Sequence, residues 1–189
     1  MEQQREEETK QKVADIFGER YRESCLAHFG SSEQISQSLI NWLKNPKYFV
    51  LAIGSPGSGK TYFCAAVYAY MHHKCRNIRA YSERDLLRIL RGGIDSSSGD
   101  YLQHLISLID DYLVIIDDIG SSGHTDWREE VLMELLDYRY SKKLPTIITS
   151  NLSKKDFFET YNKRIGSRLF AKENLVIDMP NVDYRAEGK

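Results

Sequence analysis

Gly54-Ser55-Pro56-Gly57-Ser58-Gly59-Lys60-Thr61 carries glycine, lysine and threonine at every position that a phosphate-cradling loop requires. Its glycines let the backbone curl with N–H groups pointing inward, and a helix opening at Lys60 aims its positive end at the same spot. In such a loop Lys60 sits on the β- and γ-phosphates, and the Thr61 hydroxyl ligates Mg²⁺. Tyr62, next along, joins this candidate nucleotide-binding set. A second group follows the apolar run Tyr112 to Ile116, which ends in the adjacent carboxylates Asp117 and Asp118. Charge at the end of a buried strand is costly without a partner. A Mg²⁺–triphosphate is such a partner: Asp117 would hold the metal, and Asp118 would orient and deprotonate an attacking water. Third, Pro145-Thr146-Ile147-Ile148-Thr149-Ser150-Asn151 is a β-branched run that ends in an amide. Asn151 can hold the water or the γ-phosphate there, or it can turn the chain or cap the next helix.

These groups meet only if the elements that carry them share an edge. Tyr48 to Ile53 reads as a buried strand, followed by the loop and a helix from Lys60 to about His73. Strands are predicted at Ile78 to Tyr81, Tyr112 to Ile116, Thr146 to Thr149 and Asn174 to Ile177. Helices are predicted near Glu83 to Leu90, Leu102 to Ile109, Trp127 to Tyr140 and Phe157 to Leu169, with a loop from Gly92 to about Asp100. Apolar strands alternating with helices imply a parallel sheet covered on both faces, with all strand C-terminal ends on one edge. Ahead of the first strand, a charged helix is expected over Glu2 to Phe29 and a second over Glu33 to Leu43, which Asn45-Pro46 closes.

Hydrophobic residues make up 41% and charged residues 28% of the 189, which excludes a disordered tail. The longest apolar run is far too short to cross a bilayer, and the opening Glu/Lys/Arg-rich segment is the opposite of a signal peptide, so no membrane role is expected. Cys25, Cys64 and Cys75 make neither a metal spacing nor a disulfide framework, which points to a reducing cytoplasm. His72-His73, at a predicted helix end where cations suit the dipole, lacks partners for a metal site. Trp42 and Trp127 read as packing residues.

The 26 basic and 27 acidic residues leave a formal charge of −1. Locally the balance tips: between Lys74 and Arg91, six basic residues face only Glu83 and Asp85. Arg84, Arg88 and Arg91 fall at i, i+4 and i+7, one face of the predicted helix. Such a row can track the phosphates of single-stranded DNA, or it can be a solvated face. Tyr68, Tyr70, Tyr81 and Tyr101 could stack on bases but suit a half-buried core as well.

GSPGSGKT, LVIIDDIG, PTIITSNL and RIGSRL, in that order and spacing, resemble the AAA+ ATPases of the DnaC/IstB type, which include helicase loaders and transposition helpers. The resemblance runs from about Leu39 to Arg185. It implies a three-layer α/β/α P-loop NTPase, an AAA+ core with a five-stranded parallel sheet and no separate helical lid. The expected division is a charged helical segment over 1–30 and the ATPase core over 31–189. Lys60 and Thr61 match Walker A, Asp117 and Asp118 match Walker B, and Asn151 matches sensor 1. Arg168, with Arg164 close by, aligns with the arginine finger that completes a neighbouring subunit's site; a locally paired surface arginine is the alternative. Arg185, in Asp183-Tyr184-Arg185, resembles sensor 2. Where the broader AAA+ pattern has glutamate, this chain has Asp118.

The resemblance implies Mg²⁺-dependent ATP hydrolysis to ADP, self-association through a shared ATP site, assembly on single-stranded DNA and loading of a replicative helicase. The alternatives are a transposase-regulating helper that binds DNA, and an interaction module that ATP switches with negligible turnover.

Overall fold

The computed structural model describes residues 1–29, 33–74, 77–95, 112–121, 123, 125–161 and 163–186. Five strands, β1 (Phe49–Ile53), β2 (Ile78–Ser82), β3 (Leu113–Ile119), β4 (Thr146–Ser150) and β5 (Leu175–Asp178), form one sheet in the order β2-β3-β4-β1-β5. Every pairing is parallel. The helices are α1 (Glu2–Phe17), α2 (Glu33–Lys44), α3 (Lys60–Met71), α4 (Glu83–Asp95), α5 (Asp126–Ser141), α6 (Lys154–Thr160) and α7 (Lys163–Leu169).

Strand alternation sorts side chains into two cores. Phe49, Leu51, Val114, Ile116 and Ile148 face one side, where Leu86, Leu90, Leu135, Phe157 and Ile165 of the helices cover them. Val50, Ala52, Leu113, Ile115 and Ile147 face the other, under Val13, Leu39, Trp42, Phe63 and Val67. The result is the expected three-layer sandwich with a five-stranded parallel sheet. No helix among the described residues is long and apolar enough to cross a membrane.

Several expected boundaries move. The N-terminal helix stops at Phe17 because Gly18 (φ 103°) leaves helical space, and the chain folds back in two short 3-10 turns. Lys10–Glu23 and Arg22–Glu7 pairs hold that return. Instead of ending at Gly92-Gly93, α4 runs to Asp95. Each helical glycine costs about 1 kcal/mol, so local propensity alone places the end of this helix earlier. The predicted helix from Phe157 to Leu169 is two helices. Tyr161 is extended at the break and turns its ring into the core. The predicted helix near Leu102 to Ile109, Tyr101 and the rest of the loop up to Asp100 lie outside the described residues, as do Cys75 and Arg76.

His72 behaves differently from a C-terminal cation. The Thr9 hydroxyl meets His73 Nε2 at 2.5 Å, and Lys12 Nζ lies 3.2 Å from His72 Nε2. Burial and then the Lys12 charge push the His72 imidazole below its usual range, so the neutral ring accepts from the lysine. Both contacts seat α1 on α3. Trp42 packs in the core, where its indole N–H donates to Lys47 O at 2.8 Å. Arg139, fully buried, donates to Thr146 Oγ1 and Pro145 O at 2.8 Å each and fastens α5 to the entrance of β4.

Candidate nucleotide site at the sheet edge

β1 hands over to α3 through Gly54–Gly59. Gly57 and Gly59 take φ of 82° and 89°, a region that side-chain-bearing residues avoid, so the curl depends on them. Lys60, the first residue of α3, is buried. Its Nζ donates to Gly54 O at 2.7 Å and Ser55 O at 2.8 Å, with Ser58 Oγ at 3.4 Å. Burial pulls the ammonium below its ordinary range, against Asp118 and Asp117, which raise it. The lysine is thus an integral part of the loop as well as a charge aimed at a ligand.

β3 delivers the carboxylates through an irregularity. Ile116 pairs with Ile148, but the next pairing is Ile119 with Ser150, so β3 has one extra residue at Asp117-Asp118. Asp118 takes up the kink at φ 65°, in the left-handed region that aspartate and asparagine tolerate best. Asp117 Oδ2 accepts from Thr61 Oγ1 at 2.8 Å, which joins the Walker A and Walker B residues directly. Asp117 Oδ1 accepts from Thr149 Oγ1 at 2.5 Å and lies 3.7 Å from Cys64 Sγ. Thr149 Oγ1 in turn accepts the Asp118 N–H at 2.8 Å. Because β4 lies between β1 and β3, the fully buried Thr149 fills the gap between the loop and the acids. Asn151 Nδ2 donates to Asp118 Oδ1 at 2.7 Å.

Burial pushes the Asp118 carboxyl above the usual carboxylate range; Asp117 adds to the rise, and a Ser121 hydrogen bond, Lys60 and Arg185 oppose it. Thr61 Oγ1 and Asp117 suit Mg²⁺, which binds few protein oxygens and fills its octahedron with water and substrate phosphates. Among the described residues no group of three or more His, Cys, Asp or Glu could hold a metal ion.

After β5 the chain crosses the loop. Met179 N donates to Ile53 O at 2.7 Å, Ser55 Oγ to Asn181 Oδ1 at 3.4 Å, and Tyr184 N to Gly57 O at 3.1 Å. This path brings Arg185 within electrostatic range of Lys60 and Asp118. Tyr62 is less engaged with the cluster: its hydroxyl accepts the Cys25 N–H at 3.1 Å.

The remaining candidates lie elsewhere. Arg168, on α7, donates Nε to Asp137 Oδ1 at 2.6 Å and sits 5.6 Å from the centre of the Tyr140 ring. Arg164 Nη2 reaches the other Asp137 oxygen at 3.3 Å. Arg84, Arg88 and Arg91 are exposed along one face of α4. They are not uncompensated, because Arg88 pairs with Asp85 at 2.9 Å and Arg91 lies 4.9 Å over the Trp127 ring. Of the tyrosines, Tyr68 is buried and Tyr70 is exposed. Thr149 and Asp137 have no place in the sequence reading. Thr149 stood two residues before Asn151 and read as an ordinary β-branched strand residue.

The family described as "IstB-like ATP binding protein" has a model that matches residues 28–172. The replicative helicase loader DnaC of Escherichia coli (strain K12) is 22% identical over 168 residues, 89% of this chain and 68% of that protein. The replicative helicase loader DnaI of Bacillus subtilis (strain 168) is 29% identical over 114 residues, 59% of this chain and 36% of that protein. Among solved structures, the crystal structure of the DnaC helicase loader matches with a TM-score of 0.72 at 22% identity, covering 85% of this chain and 99% of that one. The replication initiator DnaA bound to AMPPCP and single-stranded DNA matches with a TM-score of 0.73 at 14% identity, covering 84% of this chain and 50% of that one. At these identities the structural likeness shows the P-loop AAA+ fold, and this chain spans half of that DnaA chain.

Proposed function

The chain belongs to the IstB-like ATP-binding protein family, of the DnaC/IstB AAA+ type, and on that premise we propose that it hydrolyses ATP with Mg²⁺ and loads a replicative helicase. The observation that carries the hydrolytic part is the paired geometry at the sheet edge. Thr61 meets Asp117, and Asn151 meets Asp118, beside Lys60. Thr61 and Asp117 would hold Mg²⁺, which neutralises phosphate charge during transfer. Lys60 and the loop N–H groups would bind the β- and γ-phosphates. Asp118, steered by Asn151, would take a proton from the attacking water, and Arg185 would reach the same phosphates as sensor 2.

Self-association completes this reading. Arg168 would serve the site of a neighbouring copy, and the arginine face of α4 would follow single-stranded DNA. Residues 1–30 would stand ahead of an ATPase core over 31–189, with α1 packed on that core through the buried Val13. The helicase as partner rests on the names of the DnaC and DnaI relatives. A second reading, a transposition helper that binds DNA and a transposase, rests on the resemblance of the sequence motifs to the IstB type.

The test is ATP turnover with and without Mg²⁺ and single strand, alongside affinity capture on the Asp118→Asn variant held with ATP. Capture of a replicative helicase supports the first reading and capture of a transposase the second. Absence of turnover under all conditions would leave only an ATP-controlled switch.

A further inference from the structure

Glu83 opens α4 immediately before Arg84, yet its side chain is fully buried. Its Oε2 accepts the Gly120 backbone N–H at 3.2 Å and lies 2.7 Å from Arg128 Nη2 of α5, while Oε1 lies 3.5 Å from the Tyr161 hydroxyl. Arg128 also donates Nη1 to Gly123 O. A buried ion pair is weak evidence for stability, because desolvation offsets much of the attraction. What this pair grips is more informative. Gly120 follows Ile119, the last residue of β3 and the neighbour of Asp118, with Gly123 three residues on, and Ser121 hydrogen-bonds the Asp118 side chain. Gly120 packs closely against Leu152, the neighbour of Asn151: a Cβ at Gly120 would lie 2.6 Å from that side chain.

The other end of the network is the basic face. Arg84 adjoins Glu83 in α4, and Arg91 stacks over Trp127, which adjoins Arg128 in α5. Glu83 is therefore one residue from the exposed Arg84, and Arg128 one residue from the half-buried Trp127, whose ring packs on the core and carries Arg91.

We propose that Glu83 is a positioning residue that ties the arginine face of α4 to the Asp118 turn, so that a single strand seated on α4 alters the rate of ATP hydrolysis. The inference rests on the hydrolytic reading above and adds to it the route by which nucleic acid reaches the reacting centre. A strand bound along Arg84, Arg88 and Arg91 would shift α4 and α5 relative to the sheet. Glu83 and Arg128 would carry that shift to Gly120 and Gly123, and hence to the aim of Asp118.

The test uses the full chain with ATP and an oligothymidylate, comparing wild type with Glu83→Gln, which keeps the side-chain shape and an acceptor for Gly120 but drops the charge toward Arg128. Affinities for a non-hydrolysable ATP analogue and for the oligothymidylate should stay within about twofold, whereas kcat should fall about tenfold with KM unchanged. The ratio of kcat with saturating oligothymidylate to kcat without it should collapse toward one. A merely structural role would lower Tm and leave that ratio intact. Arg128→Lys, which keeps the charge but loses the fork that also reaches Gly123, should give the same collapse, and it decides the matter if Glu83→Gln does not fold. Wild-type ratios in the folded variants overturn the coupling. A wild-type chain that turns over ATP without responding to the oligothymidylate overturns the coupling and spares the hydrolytic reading. One with no turnover removes both.

Discussion

Asn151 holds Asp118 by a 2.7 Å hydrogen bond from its side-chain amide, so the residue that follows β4 orients a carboxylate near the end of the adjacent β3. Charge-assisted bonds of this kind fix orientation as well as energy. Asn151 therefore has a task that a turn-forming or capping asparagine would lack: it presents one Asp118 oxygen in a set direction.

If Asp118 is the base, Asp118→Asn should lower kcat by about 10²- to 10⁴-fold while ATP affinity survives. Burial holds this carboxyl above the ordinary range, so the acid side of the pH–rate profile should fall off at higher pH than for an exposed aspartate. The same shift has a stability consequence. With the folded pKa raised, the aspartate is tolerated best when protonated, and its stability is lost as pH rises through the folded pKa. Asp118→Asn should accordingly raise Tm at neutral pH, and the gain should disappear in acid. Thermal melts at several pH values check the sign.

Thr149→Val removes one hydroxyl and keeps the β-branched shape. It leaves Asp117 short of a donor and the Asp118 N–H short of an acceptor, a cost of about 1–3 kcal/mol. The expected result is a Tm lower by several degrees and a higher Mg²⁺ requirement for turnover, read from melts and from Mg²⁺ titrations of the rate. An unchanged Mg²⁺ requirement would count against Thr149 as the support of Asp117.

Lys60→Ala should weaken ATP binding by at least about 100-fold, in line with losing strong charge-assisted bonds to phosphate. The sheet and both cores should survive, since the hydrogen bonds of Lys60 Nζ go to the loop itself, at Gly54, Ser55 and Ser58. Calorimetric titration with ATP measures the first expectation and circular dichroism the second.

Arg168 is held through Nε by Asp137 Oδ1 at 2.6 Å. If it acts on a neighbouring copy, mixing Arg168→Ala with Lys60→Ala protein should restore part of the turnover that each lacks alone. Rate per molecule should also climb with concentration. Both variants oligomeric and no rescue at any ratio would identify a local structural arginine.

Changing Arg84, Arg88 and Arg91 together to Gln should leave ATP binding intact and weaken single-strand binding. The log–log salt slope should flatten by about 0.7 per lost phosphate contact, or about 2 for three. Fluorescence anisotropy at several salt concentrations gives the slope, and an identical slope would discard this face as the DNA contact.

The loop, the acid pair and Asn151 were legible because their signals are local: glycine spacing, a buried strand ending in charge, an amide after a β-branched run. Thr149 was not, because its task follows from the strand order β2-β3-β4-β1-β5, which places it between residues far away in sequence. Glu83 likewise reads as an ordinary acid in the first turn of a helix, and only the packing of α5 and the β3 turn shows it to be buried. Other misses had a readable cause. Ser153 and Asp156 form a reciprocal cap that starts α6 ahead of Phe157, and Gly18 marked the end of α1. The extension of α4 through two glycines is the opposite case, because it runs against the local preference.

The backbone at Asp118 filters which residues can stand there. Its left-handed kink admits aspartate and asparagine at small cost, whereas a residue such as glutamate would lose about 1–2 kcal/mol there. Lengthening the acid to match the broader AAA+ pattern would gain one methylene of reach and disturb the bulge that aims it. Handedness thus bears on the length of the acid at this position. For the bench, the neutral trap for this site is asparagine; glutamine or alanine would report a strained strand end along with the missing base.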